Sequence, residues 1–299
     1  MEINYKLYIC SMKSILVFFL VCNIVIYAQQ ETEIIGVNYN YISSSSYQDN
    51  IYNNATNKLD AFVNYGHDLG KKTKLFYHIS YQNFDFKTKV NYAIIPQDIL
   101  IFPKIPNYSL LTLASGMTNK LKNNLKLTNI FTFTFANGKE DLLKTNNYFR
   151  TFSYLKKKKT DSLSYGLGLY TDNVKGNIRF LPIVTLELKN TKRGFNLFFP
   201  RSLKLWQKVT EKSYVELKTN IDSNTLLYND FDNLDIEILS ITNDVTYNYI
   251  FNNKYKLKAG LGLPIRAYNY KFDTKDFETS QKPALSFIVG FSYVVFQDN

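Results

Sequence analysis

The chain has 299 residues, 45% hydrophobic and 16% aromatic, with 24 Tyr and 23 Phe, which excludes a long disordered polymer and leaves room for one large domain. Its formal net charge is +11, but the lysines are dispersed, which points to anionic lipid headgroups or anionic solutes and away from nucleic acid. The only long apolar run lies near the N-terminus, so a bundle of membrane-crossing helices is excluded too.

That run, Ile15–Val25, follows Lys13 and ends in Ile26-Tyr27-Ala28-Gln29. A basic start, a short apolar centre and a small residue at the cut are the layout of a secretory signal peptide. Residues 1–28 are therefore expected as a signal peptide cleaved after Ala28, although Ile26 is large for its position, and 29–299 as one exported domain. Met12-Lys13-Ser14 already opens a complete signal, so translation can start at Met1 or Met12. Both cysteines, Cys10 and Cys22, fall inside this segment. Disulfides, thiolate metal sites and cysteine nucleophiles are thereby excluded from the mature chain. Val21 before Cys22 argues against lipid attachment, which calls for a small residue there. Cleavage removes Lys6, Lys13 and Glu2, so the charge falls from +11 to +10.

Downstream, period-two alternation over about ten residues recurs, separated by polar turn chemistry. Val37, Tyr39 and Tyr41 alternate with Asn38 and Asn40. Leu75, Tyr77, Ile79 and Tyr81 alternate with Phe76, His78, Ser80 and Gln82. Phe131, Phe133 and Phe135 alternate with Thr132 and Thr134, and Leu257, Ala259, Leu261 and Leu263 with Lys256, Lys258, Gly260 and Gly262. In an extended chain each set occupies one face, and the spans suffice to cross a bilayer when tilted. A soluble sandwich alternates as well. Connection lengths separate the two: long polar stretches (43–56, 84–107, 137–145, 172–178, 223–234, 268–283) largely alternate with short ones (68–72, 118–124, 156–161, 252–254). Short turns on one side and longer loops on the other mark a transmembrane barrel.

The expected fold is all-β, an antiparallel up-and-down transmembrane β-barrel of about 12 strands, with 14 the alternative. The two counts differ at 179–209, where Pro182 and Pro200 each remove a ladder donor and favour a non-spanning piece. If Phe195–Pro200 is instead a short strand, the count is 14. The closing run Ala284–Phe296 (ALSFIVGFSYVVF) has the alternating aromatic ending of a terminal strand by which barrels are recognised for insertion. Strand 284–296 is therefore the expected contact with the barrel-assembly machinery.

Three segments carry a family likeness: the signal end Tyr27-Ala28-Gln29-Gln30, the FNLFFP stretch at 195–200 and the closing GFSYVVF at 290–296. On these the chain resembles the outer-membrane β-barrels of Bacteroidota, particularly an uncharacterised family of unknown function. The resemblance implies a cell outer-membrane location, reached through the signal peptide, and a barrel fold, and it brings no known activity.

Chemistry is sparse. There are two histidines, His67 and His78, with no metal-binding spacing, no GxSxG and no phosphate loop. His78-Ile79-Ser80 puts a histidine and a serine on one strand face, as outer-membrane lipid hydrolases do, and a histidine can deprotonate a serine if a third group orients it. Here Tyr81-Gln82-Asn83 follows instead of Asn-Gly, and the alternation turns both residues toward the lumen. Glu216, Lys218, Asp244, Lys256 and Lys258 fall on polar strand faces and form a charged interior wall or a cross-strand charge ladder. His78 and Ser80 complete the expected lumen lining. Neither cofactor nor metal is expected.

The leading expectation is a non-enzymatic outer-membrane barrel, porin-like but narrow, or a structural protein, with outer-membrane lipids as its surroundings and no nucleic-acid partner. The alternatives are a lipid hydrolase using His78 and Ser80, and a secreted soluble β-protein binding glycans or surfaces.

Overall fold

The computed structural model describes residues 31–47, 52–90, 107–138, 143–144, 146–174, 177–228, 234–272 and 275–296. The expected signal segment and both cysteines lie outside these residues. Among the described residues there are sixteen strands and no helix. They are β1 (Glu31–Tyr47), β2 (Tyr52–Leu69), β3 (Thr73–Val90), β4 (Tyr108–Lys120) and β5 (Leu125–Gly138). The two-residue β6 (Leu143–Lys144) precedes β7 (Asn146–Lys158), β8 (Leu163–Val174), β9 (Asn177–Lys189), β10 (Arg193–Phe199) and β11 (Ser202–Thr210). Then come β12 (Ser213–Tyr228), β13 (Leu234–Phe251), β14 (Tyr255–Phe272), β15 (Lys275–Ser280) and β16 (Ser286–Phe296).

Fourteen of these form one antiparallel wall in chain order, and β16 returns to pair with β1. β6 and β15 stand apart from that circuit: β6 pairs with the end of β12, and β15 with the end of β14 beyond the reach of β16. An even number of spans brings Glu31 and Phe296 to the same rim, where they are paired. That rim carries the tight turns. Asn123 and Asn124, and Asn252 and Asn253, have φ between 51 and 58°. Two consecutive left-handed residues give the hairpin turn whose twist matches its flanking strands, and asparagine tolerates that conformation.

The sequence leaves 12 and 14 strands open, and the structure has 14. The FNLFFP segment is a true short strand, β10, hairpinned onto β11. Proline does not forbid this. β10 pairs with β9 only from Val184 to Lys189, so Pro182 stands above the hairpin and its missing N–H costs no bond on that side. Pro200 sits in the turn itself. The strands also run further than the alternation suggests. β1, β2, β3, β13 and β14 reach 17–18 residues where about 9–11 cross a bilayer. Much of 43–56, 84–90 and 268–272 is therefore ladder projecting past the membrane.

The faces alternate throughout. Val37, Phe131, Phe133, Leu167, Val245, Leu257, Leu261, Phe287, Val289 and Phe291 are exposed apolar residues on the outside. A continuous outer apolar band belongs against hydrocarbon. The fold is an antiparallel up-and-down transmembrane β-barrel. Inside, the half away from the tight turns is filled. Tyr108 and Tyr268 are buried there with Ile236 and Ile238, and Phe84 stacks on Tyr108 at 4.5 Å. Arg266 lies over Phe86 and donates to Thr56 Oγ1 at 2.9 Å. Tyr268 donates its hydroxyl to Gln281 Oε1 at 2.9 Å. The Tyr268 hydroxyl and the Arg266 guanidinium each have a partner, so burial strands neither.

Candidate functional site: the charged barrel interior

The half nearer the tight turns is built differently. Ladder register sets Lys204, Lys218 and Asp244 in one row across β11, β12 and β13, and Trp206, Glu216 and Thr246 in the next. Lys204 Nζ meets Glu216 Oε2 at 2.5 Å. Lys256 is buried, pairs with Glu33 and donates to the Tyr214 hydroxyl at 3.3 Å. Lys258 and Lys218 both act on the Asp244 carboxylate. Thus Glu216, Lys218, Asp244, Lys256 and Lys258 come together on one stretch of inner wall.

Glu33, Lys204 and Tyr214 were not singled out from the sequence. Glu33 has the parity of the outward residues Ile35 and Val37, but the register shifts between Glu33 and Ile35. Such a bulge re-aims the side chain that follows it, and Glu33 enters the lumen to meet Lys256. Gly262 makes room for Asp244: a Cβ there would come within 2.3 Å of Asp244 Oδ1, an oxygen that is buried with no hydrogen-bond partner. A second charged patch sits on the neighbouring wall, where Glu187 pairs with Lys156 and with Lys189, the latter at 3.3 Å. Lys126 stands within electrostatic reach of Lys156 and Glu187.

His78 and Ser80 lie on the inward face of β3, in register with Asn64 and Phe62 of β2. His78 Nδ1 is 2.7 Å from Asn64 Oδ1, and its ring stacks on Phe62. The group that holds the imidazole is thus the Asn64 side-chain amide. Among the described residues no three His, Cys, Asp or Glu gather to hold a metal ion. At the turn 159–162, outside the membrane-spanning segments, Lys158 binds Asp161 at 2.6 Å. The hydrogen bond and charge of that ammonium hold the Asp161 carboxyl below its ordinary value.

A cavity of about 290 Å³ lies behind the β10–β11 hairpin. Ile130, Phe152 and Phe198 give it apolar walls, and Thr132, Arg201, Asn220 and Asp222 give it polar ones. Arg201 bonds Asp222 at 3.0 Å and lies over the Phe152 ring at 5.2 Å. Its lining comes from five strands and a turn spread over residues 130–222, and no local pattern marks it.

No protein-family model matches the chain. No curated protein matches it either. Among solved structures, the chain is similar to an outer-membrane channel from Pseudomonas putida F1, at 12% identity and a TM-score of 0.49, over 91% of this chain and 97% of that one. It is also similar to the translocator domain of the autotransporter NalP from Neisseria meningitidis, at 9% identity and a TM-score of 0.37, over 97% of each chain. The KdgM porin, in complex with disordered oligogalacturonate, aligns at 10% identity and a TM-score of 0.32, over 86% of this chain and 98% of the porin. At these identities the likeness bears on fold, and the fold stands on the ladders described above.

Proposed function

We propose that the protein is a non-enzymatic integral barrel of the outer membrane, of the uncharacterised Bacteroidota type its three segments resemble, with a narrow interior that favours anions. The observation that carries the location is the outer band of exposed Val, Leu, Ile and Phe around a closed ladder, a surface suited to lipid. Export by residues 1–28 and insertion through the terminal strand 284–296 belong to the same reading.

The anion preference rests on the inner half-ring near the tight turns. Lys126, Lys156, Lys189, Lys204, Lys218, Lys256 and Lys258 lie there with Glu33, Glu187, Glu216 and Asp244. Cations exceed carboxylates within a low-dielectric wall, which raises the local concentration of anions. The filled outer half, around Tyr108 and Tyr268, supports a narrow passage over a wide pore. The placement of His78 and Ser80 on the inner face, away from lipid, with Ser80 buried, weighs against lipid hydrolysis, and the exposed apolar band weighs against a secreted soluble protein.

Fractionation tests the location. The protein is expected to sediment with outer membranes, resist carbonate washing and migrate faster on gels before boiling than after. Release by carbonate as a soluble, boiling-insensitive protein would sink the proposal.

A further inference from the structure

The β10–β11 hairpin interrupts the wall. β10 has seven residues and β11 nine, at or below the roughly 9–11 that cross a bilayer. Above the hairpin, residues 177–183 of β9 pair only with β8, and residues 221–226 of β12 only with β13. Among the described residues no ladder joins β9 to β12 there. The gap has a sill and a lintel. The turn at Phe199–Arg201 is the sill, tied to β12 by the Ile221 N–H donating to the Arg201 carbonyl at 2.8 Å. Arg179 bridges the top, donating to Asp172 of β8 at 3.0 Å and to Glu237 of β13 at 2.9 Å. Leu181 faces inward in register with the buried Tyr170, yet is 43% exposed, as a side chain bordering an opening would be.

The 290 Å³ cavity lies just behind the sill. Its apolar side continues into the buried cluster of Phe152, Tyr170 and Ile183. On its polar side Arg201 and Asp222 line it, and Lys58 and Arg150, set back from the lining, also act on the Asp222 carboxylate. Arg150 is 8% exposed, and its Nε is buried with no hydrogen-bond partner. Excess positive charge, an aromatic wall and a side opening above a short hairpin together select one kind of ligand.

We infer that this cavity binds a small anionic amphiphile, its head at Arg201 and its apolar chain running over Phe198 and Phe152 and out through the gap toward lipid. The guanidinium supplies the fork geometry a carboxylate or phosphate head requires. The rings supply contact for the chain. An open gap removes the length limit that a closed cavity would set.

The inference rests on the membrane-spanning reading, and the two fail differently. A chain that does not insert into bilayers sinks that reading, whereas an inserted barrel without ligand binding sinks only this one. The test is calorimetric titration of the full mature chain, inserted in nanodiscs of zwitterionic lipid, with octanoate, against empty nanodiscs as blank. One saturable octanoate per barrel is expected, displaced by hexadecanoate, while octanol binds at least about tenfold more weakly and inorganic phosphate does not displace it. Arg201→Gln and Phe198→Ala are each expected to weaken octanoate about tenfold or more, and Leu257→Ala, on the lipid face of β14 away from the gap, to leave it unchanged. Gel mobility before boiling verifies that each variant is folded, and Phe198→Ala carries the test if Arg201→Gln does not fold. Equal binding of octanol, displacement by phosphate alone, exclusion of hexadecanoate, or an unchanged Phe198→Ala would each overturn the inference.

Discussion

Adjacent residues on β5 offer a stringent test of which face meets lipid. Phe133 is 38% exposed on the outside, in register with Leu113 and Phe149. Thr132 points inward, in register with Ala114 and Arg150, and lines the cavity that Asp222 also borders. A lysine at position 133 would stand near the middle of the strand, where a cation on a barrel exterior costs about 2–4 kcal/mol. It would also remove the edge-on contact between Phe133 and Phe135, whose centroids are 4.7 Å apart, worth about 0.5–1.5 kcal/mol. The sum, about 2.5–5.5 kcal/mol, is a large part of the roughly 5–15 kcal/mol that holds a typical protein folded. A lysine at 132 enters open space, with Arg150 repelling it and Asp222 attracting it, so a change within about 1 kcal/mol is expected. The assay is urea-dependent folding into lipid vesicles, read from the gel-mobility shift and from the transition midpoint. Phe133→Lys should lower the midpoint strongly and Thr132→Lys little. A one-residue slip in register exchanges the two faces, so greater damage from Thr132→Lys would refute the assignment.

Four further outcomes are expected. In planar bilayers the purified barrel should pass small currents with chloride favoured over potassium, and a cation preference would contradict the lysine-rich inner wall. Lys204→Met strands the buried Glu216 carboxylate and should cost about 1–3 kcal/mol of stability, measured by urea unfolding, with Glu216→Gln as a second change restoring much of it. His78→Ala and Ser80→Ala should leave lipid hydrolysis at the background of the unaltered protein; a hydrolytic signal abolished by both would establish the enzyme. Asp161 should titrate below the ordinary carboxylate value by NMR and return to it in Lys158→Ala. Because its folded value is depressed, its small contribution to stability is present above the unfolded value and fades as pH falls through the folded one.

The alternation of Leu257, Ala259, Leu261 and Leu263 against Lys256, Lys258 and two glycines is legible because side-chain facing in a strand has a period of two. The charged wall is legible for the same reason: Glu216, Lys218, Asp244, Lys256 and Lys258 are all named by parity alone. Their partners are not. Glu33 has the wrong parity until a bulge turns it inward, and its bond to Lys256 spans 223 residues, a closure that local patterns do not carry. The strand count is ambiguous at β10 because a proline forbids a ladder bond only where a neighbour exists. Whether β10 reached Pro182 depended on a hairpin length that turn chemistry did not fix. The cavity is the least legible feature, since Ile130, Phe152, Phe198 and Asp222 read separately as ordinary strand residues.

A closed barrel with its apolar face in lipid leaves a signature that a spin-label accessibility scan along β14 reads residue by residue. Cys10 and Cys22 are the only cysteines in the sequence, so in a chain expressed from Gln29 single labels can be placed one at a time at positions 256–263 in bilayers. Collision with oxygen, which partitions into hydrocarbon, is compared with collision with a water-soluble nickel chelate. A strict period of two is expected, with 257, 259, 261 and 263 high in oxygen collision and shielded from nickel, and 256, 258, 260 and 262 low in oxygen collision. Uniform nickel accessibility, or the same alternation with its phase reversed, would contradict it.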